Sequence, residues 1–405
     1  HQAGCPVEDV GSLHRCHLSP RLEASIGRGK RVVEVALRGV RESSDLLFSG
    51  RIQDGQVVSR LAPLSIDIEM QVWIGAHETD YKYISSMATK YSKLDAKDYA
   101  REHMRGIWAA ALNPFNDDLS LNEAGLRSNI RHWIDDLDIK GLFIAGKQGE
   151  FFSMSLEERK RNFEIAVEEC DGKAGVIVSV SDQNLDTVLE LAQHAQNCGA
   201  DYIVVHAPVL SFVHDRGEVL YRYYEALCDR LDIGIAMWSH PDSGYLMQPD
   251  ECARIAELPN IVAIKYSVPR EMYVQLTHMV GDKIQVSTSA EDDWLDNIEE
   301  LGWQLYLCSS PPYHLQTKND KRMDEYTRLA FAGNFDEARR VRDSLDPVRA
   351  AMAQSRPTDK PQAFGKYWQA LLGQVGGRVR PPMLELSDAE KAAIREAFEG
   401  CGLQL

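Results

Sequence analysis

The chain has 405 residues, 44% of them hydrophobic and 26% charged, which is enough apolar material for one large core or two ordinary ones. Its formal net charge of −16 argues against a nucleic acid or an acidic membrane surface as partner, since either would call for a basic face. No long apolar run offers a membrane span, the N-terminal stretch lacks the unbroken apolar centre of a signal peptide, and the cysteines show neither CxxC pairing nor metal-ligand spacing, so a cytoplasmic protein with reduced thiols, no metal and no membrane partner is expected.

Residues 1–69 are rich in Arg, Gly and Ser, with only short apolar runs such as "RVVEVAL". They read as an irregular extension, disordered or foreign to the natural protein, with the natural start then at Met70 or Met87. Residues 70–104 combine one short strand with a polar helix, a lead-in to the main domain.

From Gly106 the pattern becomes regular. Eight β-rich runs, "GIWAAALNPF", "GLFIAG", "GVIVSV", "YIVVHA", "IGIAMWS", "IVAIKYS", "IQVSTS" and "LYLCSS", alternate with amphipathic helix patterns. Ser155 with Glu158 forms a capping box ahead of one helix, and Gly199 ends the next. Eight continuous apolar strands, each followed by a helix, predict an α/β fold of the (β/α)8 TIM-barrel type over residues 105–333. A doubly wound open sheet is the alternative, but "ALNPFNDD" follows the first strand where a Gly-rich phosphate turn would be expected. Residues 334–405 read as about three further helices packed on the barrel.

Within "NIVAIKYSVP", Lys265 interrupts a strand of buried character. Strand alternation places Ile261, Ala263 and Lys265 on one face, and Val262, Ile264 and Tyr266 on the bulkier face that suits the helix layer. Lys265 is therefore expected in the lumen near the C-terminal end of its strand, where barrel enzymes carry their chemistry. A desolvated amine there can attack a carbonyl and form a Schiff base. The structural alternative is a lysine that reaches out to solvent or pairs with a carboxylate such as Glu150.

Residues 106–350 resemble the superfamily of N-acetylneuraminate lyase and dihydrodipicolinate synthase, the class I Schiff-base aldolases. The resemblance rests on "GKQGEFFSMSLEER" after the second strand, "HAPVL" after the fourth, "WSHPDSGYL" after the fifth and "LPNIVAIKYS" at the lysine strand. It implies a lyase acting on a 2-oxo acid such as pyruvate and an aldehyde, with Lys265 as the Schiff-base lysine, no cofactor, and a homo-oligomer, by analogy a tetramer. Lys147 and Gln148 stand where the family has two carboxylate-binding threonines, so that backbone donors and the Lys147 charge would have to hold the acid. The family's Pro-Tyr-Tyr shuttle is replaced by Pro208, Val209 and Leu210, which leaves His206, His240 or a substrate group with water to move the proton. Trp238, Ser239 and Ser287, at the ends of neighbouring strands, complete the candidate substrate contacts.

Asp242 and Ser243 occupy the place of an arginine that holds a second carboxylate in dihydrodipicolinate synthases, which disfavours that reaction. Tyr266 after the lysine, "EDDW" and "GRVRPP" resemble the hydratase-aldolases of aromatic breakdown. Trp238, Phe151 and Phe152 would then line a pocket for a neutral or aromatic aldehyde. The other reading is a barrel that has lost its chemistry and serves in binding or assembly.

Overall fold

The computed structural model describes the strands between residues 22 and 71 together with residues 89–209, 212–308 and 312–405. The chain divides into two units, His1–Lys82 and Tyr83–Leu405. In the first, β1 (Leu22–Ile26), β2 (Val32–Leu37), β3 (Leu47–Gln53), β4 (Gln56–Leu61) and β5 (Ile66–Gln71) pair in chain order as an antiparallel meander. The irregular extension expected over residues 1–69 is corrected for these segments. Polar and charged residues such as Glu23, Glu34, Arg51 and Arg60 break up their apolar runs, and what makes them strands is the ladder that successive neighbours supply. Met70 pairs with Val57 inside β5, so a chain starting there would lose part of this sheet. The short strand expected in the lead-in falls mainly on residues 72–88, outside the described residues, as do Met87 and Leu210, while the polar helix of the lead-in is α1 (Ala96–His103).

The second unit is built on eight parallel strands: β6 (Gly106–Ala110), β7 (Gly141–Ile144), β8 (Gly175–Ser179), β9 (Tyr202–His206), β10 (Gly234–Ser239), β11 (Ile261–Tyr266), β12 (Gln285–Ser287) and β13 (Leu305–Leu307). They run in the order β12-β11-β10-β9-β8-β7-β6-β13. Each is followed by a helix: α2 (Glu123–Asp135), α3 (Leu156–Cys170), α4 (Leu185–Cys198), α5 (Arg216–Arg230), α6 (Pro249–Ala256), α7 (Arg270–Val280), α8 (Trp294–Leu301) and α9 (Arg322–Phe331). This is the (β/α)8 barrel expected, and its strands are buried on both faces because lumen side chains cover one and helices the other. The capping box forms, with Ser155 Oγ accepting the Glu158 amide at 3.2 Å and Glu158 accepting the Ser155 amide at 2.9 Å. Gly199 ends α4 at φ 93°, a conformation that a side chain disfavours.

Among the described residues no ladder joins β12 to β13. Side chains bridge that seam instead: Ser287 Oγ accepts the Leu307 amide at 2.8 Å, and Lys265 Nζ donates to the Leu307 carbonyl at 2.7 Å. The floor of the lumen is filled by Trp108, which is fully buried and in register with Gly141, itself in register with Gly175. A Cβ on Gly141 would lie 2.2 Å from the indole and one on Gly175 2.3 Å from it, so both glycines are there to admit the ring.

The C-terminal region contains α10 (Phe335–Asp343), α11 (Asp346–Ser355), α12 (Pro361–Leu371) and α13 (Asp388–Glu399). One more helix is present than expected because Pro347, which has no amide to donate, starts α11 and divides "NFDEARRVRDSLDPVRAAMA" in two. α10 packs on α9, and α13 on α11 and α12. Among the described residues no helix is long and apolar enough to cross a membrane.

The floor makes a direct test. Gly175→Ala should destabilise the barrel by about 1–3 kcal/mol through overpacking, and Trp108→Phe in the same chain should recover part of that loss. Urea unfolding of the two single variants and the double variant measures the coupling.

Candidate active site

One register row defines the site. Parallel pairing aligns His206 with Trp238, Trp238 with Lys265, and Lys265 with Ser287, so four neighbouring strands present these side chains at one level near their C-terminal ends. The row depends on a register shift between Ile235 and Ala236, which interrupts simple alternation early in β11; regular pairing resumes at Ala263. The face expected for Lys265 is the one observed, because its amine crosses the lumen to β13.

Lys265 is 2% exposed and has no carboxylate partner among the described residues. Its Nζ donates to the carbonyls of Leu307 at 2.7 Å and Cys308 at 2.5 Å, and lies 5.5 Å from the centre of the Phe143 ring. Burial disfavours the charged form and lowers its pKa to about 8. The pairing with Glu150 that sequence left open does not occur, since Glu150 pairs with Lys366 of α12. Phe143 of β7 was missed by sequence reasoning, as were the β13 carbonyls, and only the barrel closure brings either to the lysine.

Trp238 is 4% exposed, and its indole N–H has no partner among the described residues. Its ring meets Phe143 at 5.5 Å, His206 at 4.9 Å and His240 at 6.4 Å, each edge to face. His206 Nδ1 lies 3.1 Å from the Ala207 carbonyl; a carbonyl only accepts, so this nitrogen carries the proton and Nε2 is left as an acceptor. His240 Nδ1 lies 3.2 Å from both the Asp242 amide, which it meets as an acceptor, and Asp242 Oδ1, which it meets as a donor, so Asp242 engages this nitrogen in either tautomer. Burial lowers the pKa of both rings. For His240 the Asp242 carboxylate opposes that shift, whereas Lys147 and Lys265 reinforce it.

The loop after β7 places Lys147 in an ion pair with Asp242, tying the β7 and β10 loops together across the mouth. Burial raises the Asp242 carboxyl, but Lys147 and His240 outweigh it and hold the group below its ordinary value. Gln148 sits beside Lys147, partly exposed. Among the described residues the backbone amides of Lys147, Gln148 and Gly149 donate to no protein group, so three N–H groups in one turn are available to an anion.

Two expectations are corrected. Ser239 follows Trp238 and therefore points to the opposite face, where its hydroxyl accepts the Met247 amide at 3.1 Å; it does not enter the lumen. Phe151 and Phe152 contact each other at 5.9 Å, and Phe151 packs under Arg159 at 5.3 Å, so these rings belong to the loop and not to the row around Trp238. Ser287 is in the row, but its hydroxyl is engaged with the Leu307 amide.

A (β/α)8 barrel with a row of polar and aromatic side chains at the strand C-termini has the layout of a barrel enzyme. The comparisons narrow it. The sequence model of the dihydrodipicolinate synthetase family matches residues 103–400. The 4-hydroxy-tetrahydrodipicolinate synthase of Methanothrix thermoacetophila is 28% identical over 297 residues, 73% of this chain and 96% of that enzyme. The N-acetylneuraminate lyase of Clostridium perfringens strain SM101 is 36% identical over 165 residues, 40% of this chain and 57% of that enzyme. Among solved structures, a prophage protein of the dihydrodipicolinic acid synthase family from E. coli K12, in complex with pyruvate, superposes with a TM-score of 0.66 at 23% identity, covering 74% of this chain and 99% of that one. The chain belongs to the dihydrodipicolinate synthetase family and is a lyase of the class I aldolase type.

The depressed lysine has a measurable consequence. Below pH about 8 the folded state bears the full cost of a buried charge; between about 8 and the ordinary 10.5 the unfolded lysine keeps its proton while the folded one has lost it, so stability rises with pH across that window. Relative to Lys265→Met, the wild-type chain should gain about 3 kcal/mol between pH 7.5 and 10.5, read from denaturant unfolding of both proteins at several pH values.

Proposed function

We propose that the protein cleaves or forms a carbon–carbon bond next to a 2-oxo acid, or adds or removes water there, through a Schiff base on Lys265. The single observation that carries the reading is the buried amine with its pKa lowered to about 8 and no carboxylate to hold its proton. About a tenth of it is neutral at pH 7, enough to act as a nucleophile.

The proposed sequence of steps starts with the carboxylate of the acid on the amides of Lys147, Gln148 and Gly149. The Lys265 amine attacks the ketone, water leaves, and the iminium withdraws the electron pair of the bond that breaks beyond the adjacent carbon, giving an enamine and an aldehyde. Protonation of the enamine and hydrolysis return the acid and the free lysine. The aldehyde oxygen begins as a hydroxyl whose proton must be removed, and the His206 Nε2 acceptor fits that role, while His240, in the form that bears a proton on Nε2, fits return of a proton to the enamine. Both rings lie within reach of Trp238, the register neighbour of Lys265.

For the second substrate we favour a neutral or aromatic aldehyde. The two ammonium groups near the mouth are committed, Lys147 to Asp242 and Lys265 to the acid, while Trp238 and Phe143 offer aromatic faces. The Lys147 pair also weakens the repulsion of anionic aldehydes that Asp242 alone would exert, so the preference rests more on the aromatic walls than on charge.

Borohydride reduction in the presence of pyruvate is expected to add the ligand mass at Lys265, with an initial trapping rate that rises with pH and levels off above about 8. Mass spectrometry locates the adduct; a labelled Lys147 with an untouched Lys265 would contradict the reading, and no adduct would favour a barrel used for binding.

Acceptor choice is tested by pyruvate condensation with benzaldehyde-type acceptors against aspartate semialdehyde. Asp242→Asn frees the Lys147 charge and should improve use of an anionic aldehyde by roughly threefold to tenfold, a modest effect because both side chains of the pair are half exposed. An unchanged ratio between the acceptors would place the pair outside the acceptor site.

A further inference from the structure

The C-terminal helices send no strand into the barrel, yet α12 reaches the loop that offers the three unused amides. Glu150 closes that loop in a left-handed conformation, φ 57°, which residues with a Cβ rarely adopt, and its side chain is completely buried. Its carboxylate pairs with Lys366, itself 1% exposed, and accepts the Arg380 amide at 3.0 Å. Gln362, one turn earlier on α12, donates through Nε2 to the Lys147 carbonyl at 3.4 Å. From the barrel side Asn113 donates to the Gly149 carbonyl at 2.7 Å.

A half-exposed ion pair would let the loop drift, because water compensates charges as they part. A buried pair does not, since either group left alone would be a charge without solvent. Burial lowers the Lys366 ammonium, with Glu150 opposing that shift, so each charge depends on the other staying in place. Carbonyls at both ends of the turn are held as well, Lys147 by Gln362 of α12 and by the Glu150 amide at 3.2 Å, and Gly149 by Asn113; fixing the Lys147 carbonyl fixes the peptide plane that carries the Gln148 amide.

We infer that Lys366 and Gln362 of α12 are positioning residues that fix the Lys147–Gly149 turn in the geometry receiving the carboxylate of the 2-oxo acid, so that the C-terminal extension sets affinity for the acid without touching it. This rests on the turn being the carboxylate site, as proposed above.

The test uses the full chain and pyruvate as probe, with borohydride trapping read against pyruvate concentration. Three variants are compared with wild type: Gln362→Leu, Lys366→Met, and the charge-free double variant Glu150→Gln/Lys366→Met. The expected result is a rise of about tenfold in the half-saturating pyruvate concentration for Lys366→Met, a smaller rise for Gln362→Leu, and a maximal trapping rate at saturation within about twofold of wild type. The double variant should regain thermal stability yet keep the raised half-saturation, which separates positioning from folding; it also answers the question if Lys366→Met alone does not fold. Folded variants that trap pyruvate with wild-type half-saturation would overturn the inference alone. Absence of any Lys265 adduct in the wild-type protein would overturn both it and the proposed site.

Discussion

An ammonium withdrawn from water is the constraint around which the second unit is organised. Lys265 could have been stabilised by a carboxylate, but Glu150 and Asp242, in the loops after β7 and β10, are each taken by another cation: Glu150 by Lys366, and Asp242 by Lys147. That sorting leaves the Lys265 amine, among the described residues, with two carbonyl acceptors, which accept its N–H groups without holding its charge. A carboxylate in contact would raise the pKa again and make the amine a poor nucleophile. The same carbonyls belong to the seam between β12 and β13, so the residue that carries the proposed chemistry also helps to close the barrel.

Around that amine the groups differ in what they can exchange. His206 and His240 both meet the Trp238 ring edge to face; Nδ1 of the first is held by the Ala207 carbonyl, and Nδ1 of the second by the amide and carboxylate of Asp242. Trp238 adds a buried N–H with no acceptor among the described residues, a deficit that an oxygen atom of a bound substrate would repair. Phe143 completes a wall that is aromatic on one side and backbone on the other.

The C-terminal helices bear on the site from behind. Glu291 of the "EDDW" segment is bound by Arg349 of α11 at 2.7 Å and accepts the Tyr326 hydroxyl at 2.5 Å. Arg380 of "GRVRPP" forms a two-pronged pair with Glu158 at 2.9 and 2.6 Å. Both motifs, read in the sequence as signs of an aromatic-substrate branch, thus join the helical extension to the barrel, and they speak to scaffold more than to substrate.

What the sequence by itself determined was set by local periodicity. Eight apolar runs alternating with capped amphipathic helices specify a parallel barrel, and Lys265 in such a run specifies a buried amine, because each rule needs only a few consecutive residues. The first unit escaped this reading, since polar and charged residues interrupt its apolar runs and its strands are held by ladders with neighbours in the meander. Within the barrel, position at a strand end put Ser239 among the substrate contacts, and Glu150 stood as an optional partner for Lys265. The tertiary structure decided otherwise: a register shift in β10–β11 aligns Trp238 with Lys265, and Ser239, the next residue along β10, is engaged by the Met247 amide on the other face. It likewise brought Lys366, 216 positions beyond Glu150 in the chain, into the buried pair. Such pairings depend on how the barrel closes and where α12 packs, and no stretch of neighbouring residues encodes a contact between groups that only the closed fold brings together.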